Sequence, residues 1–232
     1  MARRRMCGFA EIQEVKTLSI KVEVWGKDAC FTRPEMKTER VSYDVITPSA
    51  ARGVIEAIYY HPGLRWQIDR IHVLAPIRFT NLRRNEVKDK ILSGNALQAA
   101  NGTAKEPYIV TAKSIQQRAA LMLQDVHYVI EAHFEMTEKA APSDNPGKFQ
   151  DIIKRRLRRG QCYSQPYLGC RECTAHVRLW EDGEIPAISE TRDLGWMLYD
   201  MDYSDPANIE PMFFRAQMVN GVIDLADCEV VK

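Results

Sequence analysis

The densest run of charge in the sequence lies between positions 148 and 159. Six basic residues and one acidic residue, Asp151, give these twelve positions a net charge of +5. The basic residues are Lys148, Lys154, Arg155, Arg156, Arg158 and Arg159. At about 100° per residue, Lys148, Arg155 and Arg159 share one stripe of a helix. Such a stripe predicts contacts with the phosphates of a nucleic acid. A solvated helix face is the alternative interpretation.

A second basic cluster comes earlier in the chain, in a long polar stretch. Its members are Arg78, Arg83, Arg84, Lys88 and Lys90. Residues 81–117 are polar, with scattered asparagine and glycine. We therefore expect a functional loop or a partly disordered insertion there. Two basic clusters on a chain of mixed sheet and helix favour RNA as the ligand.

Four potential metal ligands lie close together in sequence. They are Cys162, Cys170, Cys173 and His176. A structural zinc site normally has two closely spaced ligand pairs, whereas only Cys170 and Cys173 form such a pair. We therefore favour free thiols over zinc and predict no metal or cofactor. Six cysteines, with no apolar stretch behind the N-terminal arginines, are typical of a cytoplasmic protein with reduced thiols.

The motifs of several enzyme classes are missing from the sequence. It contains no GxSxG, HExxH, P-loop or GxGxxG motif, and no obvious acidic cluster for a two-metal nuclease. His127 and His133 lie on the less apolar face of a predicted strand, where hydrogen-bonded structural histidines are expected. If the protein cuts a nucleic acid, the natural route is metal-independent cleavage of RNA by its own 2′-hydroxyl. Tyrosine and lysine side chains suffice as proton and charge partners for that reaction.

The overall composition excludes several classes of protein. The 232 residues are 45% hydrophobic and 27% charged, which excludes a disordered chain and a collagen-like repeat. Apolar runs are far too short to span a membrane. Residues 193–232 hold eight acidic and two basic residues, a net charge of −6. Because the whole chain has +1, the first 192 residues carry +7. This asymmetry predicts one surface for a polyanion and another for a different partner.

The elements that position these residues follow from periodicity and breakers. Alternation predicts strands over residues 18–25 and 126–136, and extended chain over 65–80 with a break near Pro76. One helix begins at Thr47-Pro48 and stops at Pro62-Gly63, and a second runs from Asn145-Pro146 to Gly160. A further strand is expected over 174–180. The order strand–helix–strand–strand–helix–strand predicts an α+β fold of the ferredoxin-like type.

The remainder of the chain has a different pattern. Residues 194–203, 212–219 and 222–225 are short and strand-like, and Asn220-Gly221 is a typical two-residue hairpin turn. We expect these three strands to form a small antiparallel sheet. The predicted organisation is an N-terminal extension (1–16), a ferredoxin-like domain (17–180) with its polar insertion, and a C-terminal β-sheet region (181–232).

Five segments resemble one known family in the same order along the chain. The resemblance covers about residues 17 to 232 and is to the fifth-numbered Cas protein family in its type I-C form, a RAMP protein of CRISPR systems. The segments are RVSYDVITPSAARGVIEAIYYHP, LQDVHYVIEAHFEM, NPGKFQDIIKRRLRRGQC, PYLGCREC and DLGWMLYDMDY. The resemblance implies a ferredoxin-like (RRM-like) domain followed by a small antiparallel β domain.

The same resemblance implies an activity and a set of partners. Such a protein cuts the CRISPR repeat transcript at the base of its hairpin without metal. It then stays on the 5′ handle of the guide RNA as a subunit of the type I-C interference complex (Cascade). Backbone and large subunits are its neighbours, and the complex binds target DNA. A handle-binding subunit without catalytic activity is the alternative.

The resemblance also assigns catalytic residues. The family's tyrosine falls on Tyr59 in EAIYYHP, and its lysine falls on Lys148 in NPGKFQ. The family's histidine does not match, because Phe149 occupies its place. Proton transfer then falls to Tyr59, to Lys148, or to the neighbouring Tyr60 or His61. A packed aromatic ring at Tyr59 and a phosphate contact at Lys148 are the alternatives.

The basic clusters and the resemblance together predict the RNA-binding residues. They are Tyr43, Arg83, Arg84, Arg155, Arg156, Arg159, Gly169 and Arg171. Gly169 would let the backbone approach RNA closely, although a plain turn explains a glycine there equally well.

Overall fold

The computed structural model describes residues 19–36, 38–104 and 107–232. The predicted extension 1–16 and Leu18 lie outside the described residues. The helices are α1 (Pro48–Ile58), α2 (Ser93–Ala100) and α3 (Pro146–Arg159). The strands are β1 (Ile20–Ala29), β2 (Arg40–Val41), β3 (Leu64–Val73), β4 (Phe79–Val87), β5 (Ile115–Met136), β6 (His176–Leu179), β7 (Arg192–Asp202), β8 (Glu210–Met218), β9 (Val222–Asp224) and β10 (Val230–Val231).

A main sheet with strand order β6-β1-β5-β3-β9 carries the candidate site on one side. Its central strand β5 alternates as the sequence predicted, with Val126, Tyr128, Ile130 and Phe134 buried. The buried residues of α1 and α3 join those of the sheet in one hydrophobic core. Alternate residues of a strand share a face. The buried residues that alternate along β5 therefore mark the face of the sheet that these helices cover.

Both helices of the core begin where the sequence predicted. The Thr47 side chain accepts a hydrogen bond from the N–H of Ala50, and the Asn145 side chain accepts one from Lys148. A proline follows each cap, at a position whose N–H has no partner within the helix. Helix α3 ends at Gly160, whose φ of +62° favours glycine. Helix α1 ends at Ile58, four residues before Pro62, because Tyr59 is already extended.

The expectation of a loop or disordered insertion over residues 81–117 is wrong for most of this segment. Strand β4 pairs with the first part of β5 from Phe79↔Leu123 to Val87↔Ile115, and α2 lies near the tip of this ribbon. Most side chains of β4 are exposed. A ribbon without a buried face has no need for alternating hydrophobicity, so the signal used to find strands is absent there.

The C-terminal strands are arranged differently from the prediction. Strands β7 and β8 pair as expected, but their third partner is β10, and β9 instead pairs with β3 in the main sheet. The predicted turn is confirmed, since Asn220 and Gly221 have φ values of +49° and +72°. The sequence marked the turn correctly, but the available edge of β3 decided where the following strand pairs. The sheet of β7, β8 and β10 shares its core with the main sheet. Within the described part of the chain, no helix is long and apolar enough to cross a membrane.

Candidate functional site

The end of α1 and the side of α3 meet at Tyr59. Its side chain is almost buried, with 6% exposed. The guanidinium carbon of Arg156 lies 5.1 Å from the centre of its ring. Arg156 also donates a hydrogen bond of 2.6 Å to the carbonyl oxygen of Ile58. Burial raises the pKa of the Tyr59 hydroxyl, and the charges of Arg156 and Lys148 only partly oppose that rise. The phenol therefore keeps its proton at neutral pH.

The first turn of α3 holds Lys148 beside a carboxylate. The Lys148 ammonium lies 2.9 Å from Asp144 Oδ1, and Asp144 Oδ2 accepts a hydrogen bond from the N–H of Ala141. The Asp144 side chain is only 4% exposed, whereas that of Lys148 is 47% exposed. The Lys148 hydrogen bond, followed by that of Ala141, lowers the pKa of Asp144. Lys148 is thus oriented from one side and open to a ligand on the other.

Asp144 was missed by the sequence analysis. It stands four residues before Lys148, just ahead of the Asn145 cap of α3. That spacing was visible in the sequence, but the resemblance drew attention to the lysine and the asparagine cap alone.

Phe149 faces the core and is 1% exposed. Its ring centre lies 6.1 Å from that of Phe134 and 6.1 Å from that of Tyr59. The His61 ring packs on its other side, with 4.8 Å between ring centres. His61 Nδ1 accepts a hydrogen bond from the N–H of Gly63, and Nε2 lies 3.9 Å from Asp144 Oδ2. The structure thus brings an imidazole next to the phenylalanine from a different part of the chain.

The two neighbours of Tyr59 differ in position. Tyr60 is exposed and lines a separate open depression with Glu56 and Arg65. His61 instead contacts the same aromatic ring and carboxylate as Tyr59 and Lys148. We refer to Tyr59, His61, Asp144, Lys148 and Arg156 as the Tyr59 cluster. The start of α3 adds partial positive charge to it.

The predicted stripe on α3 is present. Arg155 and Arg159 are exposed on the same side as Lys148. Their neighbour Arg158 is paired with Glu181 at 2.7 Å, and Arg156 points back to α1. Among the residues described, neither Arg155 nor Arg159 has an acidic partner within 4.0 Å. The stripe of Lys148, Arg155 and Arg159 therefore presents charge that a polyanion can neutralise.

The second basic cluster separates into paired and exposed residues. Arg84 is ion-paired with Glu172, which also binds Arg40 at 3.0 Å and so fastens the ribbon to the loop at 167–173. Arg83 is exposed on the same strand, and Arg171 is exposed on that loop. Arg83 and Arg171 are thus exposed, whereas Arg84 has a structural partner.

Gly169 has a clear structural requirement. Its φ is +82°, and a side-chain Cβ would lie 2.1 Å from the carbonyl oxygen of Cys30. The loop can therefore pack against the end of β1 only with glycine at this position. On its other side Gly169 lines a cavity of about 380 Å³, together with Thr47, Tyr167 and Tyr203. Gly169 thus both forms the turn and lines the open cavity.

Tyr43 lies in the core. It is 2% exposed, and the Arg33 guanidinium covers its ring at 4.4 Å. The expectation that Tyr43 contacts RNA finds no support in this position, because no surface of the ring is free to stack. The large apolar ring that makes tyrosine a good stacking residue also favours its burial.

The cysteines and histidines have mostly structural surroundings. Cys162, Cys170 and Cys173 are free thiols, and His176 stacks on Trp25 with 5.6 Å between ring centres. In the described ranges, no three potential ligands come close enough to hold a metal ion. The prediction for His127 and His133 is confirmed. They lie 2.7 Å from Glu23 and Asp69, respectively.

The acidic C-terminal region is partly ion-paired. Four of its eight acids are ion-paired with basic residues. The pairs are Asp193–Arg215, Asp200–Arg52, Asp202–Lys232 and Asp224–Arg70. The charge asymmetry in the sequence is therefore partly neutralised when strands and helices pack together.

Comparison with known proteins places the chain in a family. Residues 19–226 match the family model Cas_Cas5d, described as CRISPR-associated protein (Cas_Cas5). A protein of Mannheimia succiniciproducens is 49% identical over 213 residues, covering 89% of this chain and 94% of its own length. One of Thermus thermophilus is 39% identical over 223 residues, covering 89% and 90%. Both are named CRISPR pre-crRNA endoribonuclease Cas5d.

The chain is thus a CRISPR-associated protein, and it belongs to the Cas5d family, the type I-C form of Cas5. A crystal structure described as that of a CRISPR-associated protein matches with a TM-score of 0.64 and 25% identity, over 92% of this chain and 96% of the other. The mixed α and β fold with antiparallel sheets is therefore shared with a solved structure.

Proposed function

We propose that this protein is a metal-independent endoribonuclease that cuts CRISPR repeat transcripts. The observation that carries the proposal is the packing of Tyr59 and His61 against Phe149, the residue next to Lys148, which brings the end of α1 to the start of α3. Relatives at 49% and 39% identity are named for the cleavage of pre-crRNA. The substrate class follows from those relatives, and the chemistry follows from the cluster.

The reaction requires orientation and charge balance. The 2′-oxygen attacks the adjacent phosphorus while the bond from phosphorus to O5′ breaks. The products are a 2′,3′-cyclic phosphate and a 5′-hydroxyl. Lys148 and the start of α3 stabilise the negative charge that develops on the phosphate oxygens. Tyr59 keeps its proton and donates a hydrogen bond. The 2′-hydroxyl releases its proton to solvent water, and O5′ takes one up from solvent.

The RNA path follows the exposed basic residues. Arg155 and Arg159 continue from Lys148 along α3 and contact successive phosphates. Arg83 and Arg171 extend the surface at the base of the ribbon, and the cavity at Gly169 accommodates an unpaired nucleotide. Arg84 and Arg156 act indirectly, by holding the ribbon and the end of α1 in place.

The finer description of the fold supports the same function. Strand order β6-β1-β5-β3, with α1 after β1 and α3 after β5, supports a ferredoxin-like RAMP domain. We assign residues 17–180 to that domain and 181–232 to the C-terminal β-sheet region. The product stays bound by its 5′ handle in the type I-C interference complex, beside backbone and large subunits, and the complex contacts target DNA.

A labelled repeat hairpin tests this function. Cleavage is expected in excess EDTA, with a 2′,3′-cyclic phosphate end, and no cleavage is expected when the 2′-hydroxyl at the cut is replaced by hydrogen. Tyr59→Phe and Lys148→Ala should slow cleavage more than they weaken binding. Loss of cutting in EDTA, or cutting of the 2′-deoxy hairpin, would show that the mechanism is wrong.

The alternative, a handle-binding subunit without catalytic activity, is not favoured, because both relatives are named as endoribonucleases. This function predicts tight binding of the hairpin and no cleavage over a long incubation. Under that outcome, Phe149→His is the variant expected to gain cleavage. The two functions are thus separated by the wild-type protein alone.

A further inference from the structure

His61 occupies a defined place within the Tyr59 cluster. It follows the end of α1, packs on Phe149 and keeps about a third of its side chain exposed. The charged group that faces it is Asp144, just before α3, and Asp144 is in turn paired with Lys148 in the first turn of α3. Histidine with this combination of packing and exposure is held in one orientation yet remains accessible to a ligand.

The backbone determines which ring nitrogen carries the proton. The N–H of Gly63 donates to His61 Nδ1 at 3.0 Å. A neutral imidazole has one N–H, so the proton lies on Nε2. A larger residue does not fit at position 63, because a Cβ there would lie 2.8 Å from Cα of Ala140. If Nδ1 also carried a proton, its N–H and the N–H of Gly63 would both be donors and would point at each other.

The Nε2–H group remains available for a ligand. Its distance of 3.9 Å to Asp144 Oδ2 exceeds a normal hydrogen bond. The Asp144 carboxylate is already engaged by Lys148 at 2.9 Å and by the Ala141 N–H at 3.0 Å. Asp144 thus lies next to both Lys148 and His61, and the Nε2 proton of His61 forms no hydrogen bond with it.

We propose that His61 is a further catalytic residue, whose Nε2–H donates a hydrogen bond to a non-bridging oxygen of the phosphate being cut. The proposal rests on the endoribonuclease function above. Phe149 supports the ring and Gly63 sets its tautomer, so His61 acts as a fixed donor beside the Lys148 ammonium. It stabilises the transition-state charge and neither removes nor supplies a proton in the reaction.

This role makes a sharp distinction among substitutions. His61→Gln retains an N–H donor but cannot titrate, whereas His61→Ala removes the donor. In single-turnover cleavage we expect His61→Ala to be slower by roughly 10²-fold, the effect of removing one oxyanion donor. The rate of His61→Gln should be mostly retained, and its pH–rate profile between pH 5.5 and 8 should parallel that of the wild type. His176→Ala, which changes a distant histidine, serves as the control.

The same variants separate catalysis from folding and binding. The affinity of each for a 2′-deoxy hairpin should match the wild type, and circular dichroism should show the native fold. The proposal is overturned if His61→Ala cuts at the wild-type rate. It is also overturned if His61→Gln loses a pH-dependent limb that the wild type has, because His61 would then transfer a proton.

A second measurement does not depend on cleavage. Nitrogen-15 spectra of the histidines should show His61 protonated on Nε2 at pH 7, and its signal should shift when the 2′-deoxy hairpin binds. Protonation on Nδ1, or no shift on binding, overturns the proposal even if the wild type proves to be non-catalytic. If the wild type cuts and these spectra fail, only the role of His61 is wrong.

Discussion

Helix α3 has two faces that use similar residues for opposite purposes. The inner face buries Phe149, Ile153 and Leu157 and turns Arg156 toward the end of α1. The outer face exposes Lys148, Arg155 and Arg159. Charge density alone does not separate these two arginine roles, since Arg155 and Arg156 are adjacent in sequence. What separates them is the direction of the side chain and the presence of a backbone acceptor.

Under the proposed function, the two faces link binding to catalysis. Phosphates on the outer stripe would then lead along α3 toward its first turn, which holds Lys148. The inner face keeps that turn in register with Tyr59 and His61. Substitutions on the inner face should therefore change stability, and those on the outer face should change the interaction with RNA.

Phe149→Ala is expected to have the largest effect. Removing a fully buried aromatic ring from a well-packed core costs about 3–5 kcal/mol of unfolding free energy. Urea denaturation measures this loss. Arg155→Ala, on the outer face, is the matched control and should stay within about 0.5 kcal/mol of the wild type. Equal stability of the two variants would contradict the division of the helix into two faces.

Lys148→Ala should have the largest catalytic effect. We expect the single-turnover rate constant to fall by roughly 10²- to 10³-fold, because a cation at the developing charge is lost. Affinity for a 2′-deoxy hairpin should change far less. Lys154→Ala, on another side of the same helix, is the control. A proportional loss of rate and affinity would assign Lys148 to binding alone.

Arg156→Ala tests the link between the two helices. Its hydrogen bond to the Ile58 carbonyl involves a charged donor, and such bonds contribute about 1.5–3 kcal/mol. We expect a loss of that size in urea unfolding, together with slower cleavage as Tyr59 becomes less firmly placed. If stability is unchanged while RNA affinity falls, Arg156 belongs to the outer face after all.

Arg155→Ala and Arg159→Ala should have smaller effects that depend on salt. Each lost phosphate contact lowers the slope of log affinity against log salt concentration by about 0.7–0.9. Binding titrations at several salt concentrations measure that slope. Arg158→Ala is the control, because Glu181 already neutralises Arg158. Equal slopes for all three variants would mean that the stripe does not track the phosphates.

Asp144 should give the smallest effect, visible only in acid. Its folded pKa is lowered, chiefly by Lys148, so its stabilising contribution is present above the unfolded pKa. That contribution is lost as the pH falls through the folded pKa. Unfolding free energies measured from pH 6 to pH 3 should show this loss in the wild type and less of it in Asp144→Asn. Parallel curves would show that the pair does not contribute to stability.

Local signals predicted much of this fold correctly. The caps at Thr47 and Asn145, the stop at Gly160 and the turn at Asn220-Gly221 depend on the chemistry of two or three adjacent residues. Strand β5 shows its buried face through alternation. These features are determined by the backbone and by one covered surface, so a single sequence contains them.

Other features depend on partners that are distant in sequence. The ribbon of β4 and β5 has no buried face, so alternation does not reveal it. The pairing of β9 with β3 reflects an available edge. The burial of Tyr43 and the pairing of Arg84 with Glu172 likewise depend on neighbours that no local pattern identifies.

The candidate site divides in the same way. The sequence by itself determined the helix that carries Lys148, the basic stripe beside it and the aromatic residue that ends α1. Only the tertiary structure decided that Asp144 joins Lys148 to His61, and that Phe149 supports the imidazole. The reason is physical. Periodicity and capping are short-range properties of the chain, whereas a hydrogen bond or a ring contact between distant residues exists only after the helices and the sheet have packed.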